Sequence, residues 1–486
     1  MVKGFVAGLA SSSTEIVMTV TKKPIQAGLD RRTLLRGGLL ALGSIGAGAL
    51  RSLSADAPIE VPAYPTKSAA VGKLGKFGRT AAAGQVDVGG GSTYHSWFLD
   101  GAYPAPEIRV REGETMQVVL DNQLPEPTSI HWHGVPVPNG MDGVPGVTQD
   151  AVEPGHPFVY EFAAAPAGSY LYHSHFGLQL DRGLTGPLII EETAPHVAWD
   201  REYTVFLDDY LPGAPQPLAG GMGMGGRTPP YEGLLINGKL PAAAPHFGVG
   251  DGERLRLRLI NGGSATTFRV AITGHRLEVT HADGRPVAPV VVDSVTLGMG
   301  ERIDVIVTAN RPGVWALVAA PLEVQAPAAR AVLRYRGALD NGTVGSQVPE
   351  GLRGGRQLTI EDLISLELDP GGAQPVDRTI DLRLAGGMMS SAWTINGQAY
   401  PDADPIDLHL GERVEFRMFN QSNMRHPMHL HGHFFRVGRA LKDTVSVLPM
   451  GRVSFSFVAD NPGNWLFHCH NAYHMEAGMA RVVRIA

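Results

Sequence analysis

The sequence contains a single cysteine, Cys469, among its 486 residues. Because a disulfide needs two thiols, the fold can hold no intramolecular disulfide, and the thiol must be either buried filler or part of the chemistry. Charged residues make up only 18% of the chain and the formal net charge is -6. This low charge disfavours a nucleic-acid partner or an anionic membrane surface.

Glycine and proline, in contrast, are abundant, with 61 and 36 residues respectively. Such a composition favours many turns and short strands over long helices, so we predict an all-β fold. A chain of this length suits about three domains of typical size.

The N-terminal segment resembles a twin-arginine export signal. Arg31 and Arg32 precede an apolar run, residues 37–50, that is too short and too glycine-rich to span a bilayer, and residues 55–57 read Ala-Asp-Ala. We therefore expect residues 1–57 to be a signal peptide, and the mature protein to be periplasmic or secreted without a membrane span. An ordinary basic helix start is the alternative, and Met18 is a second candidate for the translation start.

One phrase occurs three times in the chain, at residues 113–122, 252–261 and 411–420. Each copy reads G-E-x-Φ-x-Φ-x-Φ-x-N, where Φ is apolar, and this alternation is typical of a half-buried strand entered at a turn glycine. An Asx-Gly phrase precedes each copy and a Gly-x-aromatic phrase follows it, in the same order every time.

The repetition predicts three homologous β-sandwich domains. We place them at residues 65–195, 200–338 and 375–486, with a linker at residues 339–374. The first copy continues with His173 and the last with His468, whereas the middle copy has Val318 at this position. The middle domain is therefore expected to hold no metal and to act as a spacer.

Ten of the 18 histidines fall into tight clusters in the first and last domains. The clusters contain His131 and His133; His173 and His175; His426, His429 and His431; and His468, His470 and His474. One H-x-H pair alone would be a weak signal, but four such clusters strongly indicate a metal centre.

The surroundings of Cys469 indicate which metal. A thiolate with two imidazoles and a weak axial thioether is the blue-copper ligand set, and Cys469, His474 and Met479 have the spacing C-x4-H-x4-M. His426 can supply the second imidazole. Zinc also takes cysteine and histidine, but it needs about four ligands and the chain offers many more. Core packing of Met479 and an inert thiol at Cys469 are the remaining alternatives.

These motifs resemble the multicopper oxidase family, which includes laccases and bacterial copper-efflux oxidases. The resemblance covers nearly all of the mature chain and implies three cupredoxin-like Greek-key domains that hold four copper ions. It implies a type 1 copper bound by His426, Cys469 and His474, with Met479 as the axial ligand. Since Cys469 lies between His468 and His470, the thiolate would also provide a covalent route for electrons.

The resemblance further implies a trinuclear cluster in which dioxygen is reduced to water. The type 2 copper would be bound by His131 and His429. The type 3 pair would be bound by His133, His173, His175, His431, His468 and His470. Because these ligands come from the first and last domains, the two domains must pack against each other.

Asp142 follows His131 by eleven residues, where related family members carry an acid assigned to proton supply. We predict that Asp142 is catalytic, since making water consumes protons. The alternative is an aspartate that shapes a turn beside Gly143. Met475 and Glu476 depart from the copper-efflux oxidases, which have a glutamate directly after the histidine that corresponds to His474.

The resemblance also suggests the substrate. We expect a monomer that oxidises phenols or aromatic amines with O2 as acceptor. Oxidation of Cu(I) is the alternative, because Met222, Met224, Met388 and Met389 could offer thioethers to Cu(I), although a flexible Gly-Met loop is the favoured explanation of these residues. A copper nitrite reductase and a non-enzymatic envelope protein fit the complete ligand set less well.

Overall fold

The structure, a computed structural model, describes residues 74–217, 229–339, 342–368, 371–372, 374–387 and 390–486. The predicted signal peptide, residues 1–57, lies outside these residues. Six sheets form three pairs along the chain, which confirms the all-β prediction. No helix in the described part of the chain has the length and apolar character needed to cross a membrane.

The first sandwich pairs a sheet of order β2-β1-β4-β6 with one of order β3-β8-β7-β5. Its strands are β1 (Leu74–Gly89), β2 (Ser92–Leu99), β3 (Ile108–Arg111), β4 (Thr115–Asn122), β5 (His131–His133), β6 (Pro157–Ala163), β7 (Gly168–His173) and β8 (Thr185–Glu191).

The second sandwich pairs sheets of order β10-β9-β12-β17-β14-β15 and β11-β19-β18-β13-β16. Its strands are β9 (Arg201–Tyr210), β10 (Gly233–Ile236), β11 (His246–Val249), β12 (Arg254–Asn261), β13 (Phe268–Ile272), β14 (Leu277–Ala282), β15 (Arg285–Val292), β16 (Val295–Leu297), β17 (Arg302–Thr308), β18 (Val314–Pro321) and β19 (Ala329–Tyr335).

The third sandwich pairs sheets of order β21-β20-β23-β28-β25-β26 and β22-β30-β29-β24-β27. Its strands are β20 (Arg378–Gly387), β21 (Ser390–Ile395), β22 (Ile406–Leu408), β23 (Arg413–Asn420), β24 (His426–Leu430), β25 (Phe435–Val437), β26 (Ala440–Lys442), β27 (Thr444–Val447), β28 (Arg452–Val458), β29 (Gly463–Cys469) and β30 (Ala480–Ile485).

Helical segments are short. Two are α-helices, α1 (Glu350–Arg353) and α2 (Ala472–Glu476). The 3-10 turns lie at Asn139–Met141, Leu180–Arg182, Pro241–Ala243, Val344–Ser346 and Ile360–Asp362. The segment predicted as a linker contacts the second sandwich, because isolated bridges join Gln357 to Ser294 and Ser365 to Val287.

The repeated phrase forms the equivalent strands β4, β12 and β23, each of which pairs in parallel with the first strand of its sandwich. The asparagine that ends each copy is buried at Asn122, Asn261 and Asn420. Its side-chain amide donates to at least two main-chain carbonyls, for example from Asn122 to Glu126 and Val152 at 2.9 and 2.7 Å. Since a buried amide must find partners, this residue ties the strand end to the loop that follows it.

The Gly-x-aromatic phrase forms the equivalent strands β7, β18 and β29, which lie inside the second sheet of each sandwich. Strand β5 pairs with β7, and β24 pairs with β29. In β18 the corresponding position is Val318, which is buried in the second sandwich. The fold therefore places two histidine-bearing strand pairs, one in the first sandwich and one in the third.

Candidate metal centre

Strand pairing brings the histidines of each sandwich together. His131 on β5 lies opposite His173 on β7, and His429 on β24 lies opposite His468 on β29. The rings then meet across the two sandwiches: His131 stacks on His431, and His133 stacks on His429, each with ring centroids 3.8 Å apart. One cluster of eight buried imidazoles therefore forms between the first and third sandwiches.

Within this cluster the ring nitrogens form groups that could hold metal ions. In each group the candidate ligand atoms lie within 4.8 Å of one another. The groups are His133, His173 and His470; His175, His431 and His468; and His131, His133 and His429.

The nitrogens of the cluster show that it suits a metal. His131, His173, His175 and His429 each have a buried Nε2 with no hydrogen-bond partner, and His133 has a buried Nδ1 in the same state. Buried polar atoms without partners are costly, so several together call for a bound cation. Neutral imidazoles are natural ligands of a borderline transition metal ion.

Burial keeps these rings neutral. It lowers the pKa of His173 to about 3, together with the charge of the neighbouring His131. Burial also holds the pKa values of His133, His175, His431, His468 and His470 well below the ordinary value. A neutral imidazole offers a lone pair, so the cluster is prepared to bind metal without first losing protons.

Asp142 lies inside this cluster, where sequence reasoning placed it. Its carboxylate Oδ2 is 2.9 Å from Nδ1 of His431, and its Oδ1 is 3.3 Å from Nδ1 of His131. Asp142 ends the 3-10 turn Asn139–Met141, and Gly143 follows with φ 82°. A Cβ at Gly143 would lie 1.8 Å from the carbonyl oxygen of Ile130, so only glycine allows this loop to close on β5.

A second carboxylate, Asp443, was missed by sequence reasoning. Its Oδ1 lies 3.2 Å from Nε2 of His133 and 3.5 Å from Nδ1 of His429. Asp443 thus contacts both rings of the stacked pair His133–His429, as Asp142 contacts both rings of the pair His131–His431. Burial alone would raise the pKa of Asp443, but the Arg302 guanidinium and hydrogen bonds hold it well below its usual value.

The cysteine lies in a separate mononuclear group. Nδ1 of His426 and Nδ1 of His474 are 3.1 Å apart, and Sγ of Cys469 lies 3.5 and 3.6 Å from them. Met479 is fully buried, and its main chain accepts a hydrogen bond from the Cys469 N–H at 3.0 Å. The structure therefore brings the predicted sulfur and nitrogen ligands together and places Met479 beside them in the chain fold.

A helix cap lies between Cys469 and His474, the two ligands of the C-x4-H motif. Strand β29 ends at Cys469, and Asn471 then caps α2 by accepting from the N–H groups of Tyr473 and His474. An asparagine at this position accepts hydrogen bonds from main-chain N–H groups that a helix start leaves without partners. The helix can therefore begin directly after strand β29. The cap turns His474 back toward Cys469.

Burial raises the pKa of the Cys469 thiol to about 12. Metal binding must therefore expel a proton from the sulfur before a thiolate can form. Cys469 is also one residue from both His468 and His470, which belong to the eight-histidine cluster, so a short covalent path joins the two groups.

Sequence models of the multicopper oxidase family match residues 80–195, 201–338 and 374–486. The chain is 35% identical to the multicopper oxidase MmcO of Mycobacterium tuberculosis, over 93% of this chain and 96% of that relative. It is 30% identical to a copper resistance protein A homolog of Pseudomonas syringae, over 84% and 92% of the two chains. The solved laccase from Botrytis aclada superposes with a TM-score of 0.72 at 26% identity, covering 86% of this chain and 88% of that chain.

The chain belongs to the multicopper oxidase family. Members of this family bind four copper ions of three types, so the predicted cofactor is confirmed at the level of the family. The cupredoxin-like sandwich prediction is confirmed as well. This multicopper oxidase is an oxidoreductase that passes electrons from a reductant to O2.

This oxidase also buries three acids, Asp181, Asp208 and Asp209. Burial, together with the charge of Asp209, raises the pKa of Asp181 to about 7, and burial also raises the pKa values of Asp208 and Asp209. Asp181 accepts hydrogen bonds from the hydroxyls of Tyr231 and Tyr473. Tyr473 is the residue before His474, so this hydrogen bond joins Asp181 to the segment that carries a ligand of the mononuclear group. No sequence motif indicated these acids.

Glu476, at the end of α2, is exposed. Met222, Met224, Met388 and Met389 lie outside the described residues.

Proposed function

We propose that this chain is a laccase-type oxidase that takes single electrons from phenols or aromatic amines and delivers them to O2, which becomes water. The proposal assigns the type 1 copper to His426, Cys469 and His474, with Met479 axial. It assigns the type 2 copper to His131 and His429. The type 3 pair is assigned to His133, His173, His175, His431, His468 and His470.

One observation carries the proposal: Cys469, the only thiol, is a member of the mononuclear group and lies between two members of the histidine cluster. When bound, the copper ions would supply the one-electron acceptor at Cys469 and the redox centre at which O2 is reduced. The protein supplies the connection, because the thiolate and one peptide step lead from Cys469 to His468 and to His470.

The remaining work of the protein is positioning, exclusion of water and proton supply. The cluster histidines are buried to between 92% and 100%, so the centre is shielded from bulk solvent. Several rings are held through Nδ1, as His131 is by the carbonyl of Asp142 and His429 by that of Asp443. Asp142 contacts two of these rings and is the carboxyl group best placed to pass protons to the cluster, as inferred from its distances to His131 and His431.

The surroundings of the type 1 group favour aromatic reductants. The ring of Trp393 lies 4.1 Å from that of His474 and 5.0 Å from that of His426, and Ser422 hydrogen-bonds Nε2 of His426 at 2.8 Å. Among the described residues, these two neighbours offer an aromatic ring and a hydroxyl group, whereas soft Cu(I) prefers thioethers. Outer-sphere electron transfer from a phenol needs no tailored ligand here.

Cu(I) is the second candidate substrate, and two observations favour it. Relatives of this chain carry the name copper resistance protein A, and one of three buried acids, Asp181, accepts a hydrogen bond from Tyr473, the residue before His474. Carboxylates are hard ligands, however, and match Cu(I) less well than thioethers do.

A comparison of three electron donors tests the choice of substrate. Copper-loaded protein is supplied with 2,6-dimethoxyphenol, with Cu(I) held by a weak chelator, and with ferrocyanide, while O2 uptake is followed. Ferrocyanide needs neither a proton acceptor nor a metal site, so it reports the intrinsic activity of the centre. We expect a higher kcat/KM for the phenol than for Cu(I).

The Asp209→Asn variant sharpens this comparison. If Cu(I) is the substrate, the variant should lose Cu(I) oxidation while ferrocyanide turnover is unchanged, and kcat/KM for Cu(I) should exceed that for the phenol in the native protein. That pair of results would replace the phenol proposal with the copper-tolerance function.

We also propose that the protein is exported as a folded monomer through a twin-arginine route. The support is the sequence pattern at Arg31 and Arg32, together with a single cysteine, which needs no oxidising compartment for folding. Replacing both arginines by lysine should retain the protein in the cytoplasm. Unchanged delivery in cell fractions would contradict the route, and light scattering of purified protein measures the oligomeric state.

A further inference from the structure

Arg302 is the residue at which the three sandwiches meet. It begins strand β17 of the second sandwich and is fully buried. Its Nε donates to the carbonyl oxygen of Ser169 in the first sandwich at 3.0 Å. Its two terminal nitrogens donate to the two carboxylate oxygens of Asp443 in the third sandwich at 2.8 and 2.6 Å.

This bidentate contact lies directly behind the histidine cluster. Asp443 is in turn within 3.2 Å of Nε2 of His133 and 3.5 Å of Nδ1 of His429. The main-chain carbonyl of Asp443 also accepts from Nδ1 of His429 at 2.8 Å, and Thr444 Oγ1 contacts the same nitrogen at 3.1 Å. Two imidazoles therefore depend on where one short segment, residues 443–444, is held.

The second sandwich holds that segment from a second side. Oδ2 of Asp283 accepts the main-chain N–H groups of Asp443 and Thr444 at 3.3 and 3.2 Å, while its Oδ1 accepts the N–H of Arg302 at 3.0 Å. Lys442 also bridges Asp283 and Glu301, at 3.0 and 3.1 Å. The charges alternate, so each buried ion has an opposite partner.

The same turn of the second sandwich touches the imidazoles themselves. Gly300 has φ 79°, and a Cβ at this residue would lie 2.7 Å from Cε1 of His133 and 2.9 Å from Cδ2 of His470. The second sandwich thus forms one wall of the histidine cluster, beyond the spacer role that the sequence suggested.

We propose that Arg302 is a positioning residue of the trinuclear centre: its guanidinium fixes Asp443, which fixes His133 and His429 for metal binding. The inference rests on the proposed assignment of these histidines to copper. A planar guanidinium that grips both carboxylate oxygens sets the plane as well as the position of the acid, which a point charge cannot do. Removing a residue that holds a metal ligand in place through hydrogen bonds commonly weakens metal binding by about 10- to 100-fold.

Arg256 provides a matched control. It is also a fully buried arginine of the second sandwich, and it also reaches the first, pairing with Glu192 and with Asp304. Its ion pairs are with residues outside both metal groups. Loss of Arg256 should therefore cost comparable stability without a specific effect on copper.

The experiment compares copper-loaded native protein with the Arg302→Gln, Arg302→Lys and Arg256→Gln variants. The readouts are copper per chain after dialysis against a chelator, the blue absorption of the type 1 centre, and the type 2 signal in electron paramagnetic resonance. We expect Arg302→Gln to keep the blue absorption while its trinuclear coppers bind about 10- to 100-fold more weakly. Arg256→Gln should retain all its copper.

The Arg302→Lys variant keeps the inference testable if Arg302→Gln does not fold. Lysine leaves Asp443 paired with a positive charge but cannot donate to both carboxylate oxygens in one plane. We therefore expect intermediate copper retention and an altered type 2 signal. Native copper retention and an unchanged type 2 signal in Arg302→Lys would overturn the inference. So would equal copper loss in Arg302→Gln and Arg256→Gln, since that result would mean general destabilisation.

The native protein separates this inference from the proposed function. If the native chain shows no blue absorption or lacks a trinuclear complement of copper, the assignment of the ligands is wrong. If the native chain has both and the Arg302 variants match it, only the role of Arg302 fails.

Discussion

The buried carboxyl of Asp181 should make the stability of the protein depend on pH in a defined direction. In the folded protein, burial and the charge of Asp209 raise the pKa of Asp181 from 3.8 to about 7. The folded state therefore holds a proton that the unfolded state has lost between these two values. Stability contributed by the protonated acid is complete below about pH 4 and is lost as the pH rises through 7.

The magnitude follows from the same two values. A difference between 3.8 and about 7 corresponds to at most about 4 kcal/mol, lost at no more than about 1.4 kcal/mol per pH unit. The observed loss should be smaller, because the pKa of Asp209 is also raised and part of the shift of Asp181 comes from the charge of Asp209. Replacing Asp181 by asparagine removes this titration; the amide oxygen can accept from one of the hydroxyls of Tyr231 and Tyr473, and the amide NH2 can donate to the other.

Urea unfolding followed by tryptophan fluorescence at pH 5, 6, 7 and 8 measures the effect. We expect Asp181→Asn to gain stability relative to the native protein as the pH rises across this series. Asp402→Asn, a change at an exposed aspartate, is the control and should follow the native protein at every pH. A constant difference between Asp181→Asn and the native protein would refute the reasoning.

Three further predictions concern the copper centres. Cys469→Ser should abolish the blue absorption and turnover while the histidine cluster still binds copper, because an oxygen cannot replace the soft sulfur; retained blue colour would contradict the ligand assignment. Met479→Leu should raise the type 1 potential in potentiometry, because loss of a thioether donor disfavours Cu(II); an unchanged or lower potential would argue against axial ligation. Asp142→Asn should keep copper content and type 1 reduction but slow reoxidation by O2 about 10²- to 10⁴-fold, because an amide does not relay a proton. Native reoxidation rates in stopped-flow mixing would leave Asp142 a purely structural role.

Much of the centre could be predicted because its ligands are crowded into short motifs. In His131–His133 and His468–His470, two ligands are separated by a single residue, so strand geometry alone keeps them together. The three copies of the strand phrase similarly showed the all-β architecture, since their alternation of apolar residues is a local property of a half-buried strand.

The carboxylates that contact the histidine rings could not be predicted in the same way. Asp443 stands in an ordinary strand-to-strand turn between β26 and β27, and nothing in Lys442 or Thr444 beside it indicates a metal centre. Asp142 was identified only because a known family carries an acid at this spacing. Neither residue is adjacent in sequence to the rings it contacts.

The sequence by itself determined the fold class, the kind of metal and the clusters that offer ligands, because these depend on residue type and on spacing within a few residues. Tertiary structure decided which rings share a group and what holds them, because His131 meets His431, and Arg302 meets Asp443, only when separate sandwiches pack together. Contacts over such distances depend on how whole sheets approach one another, and no local pattern of residues encodes that approach.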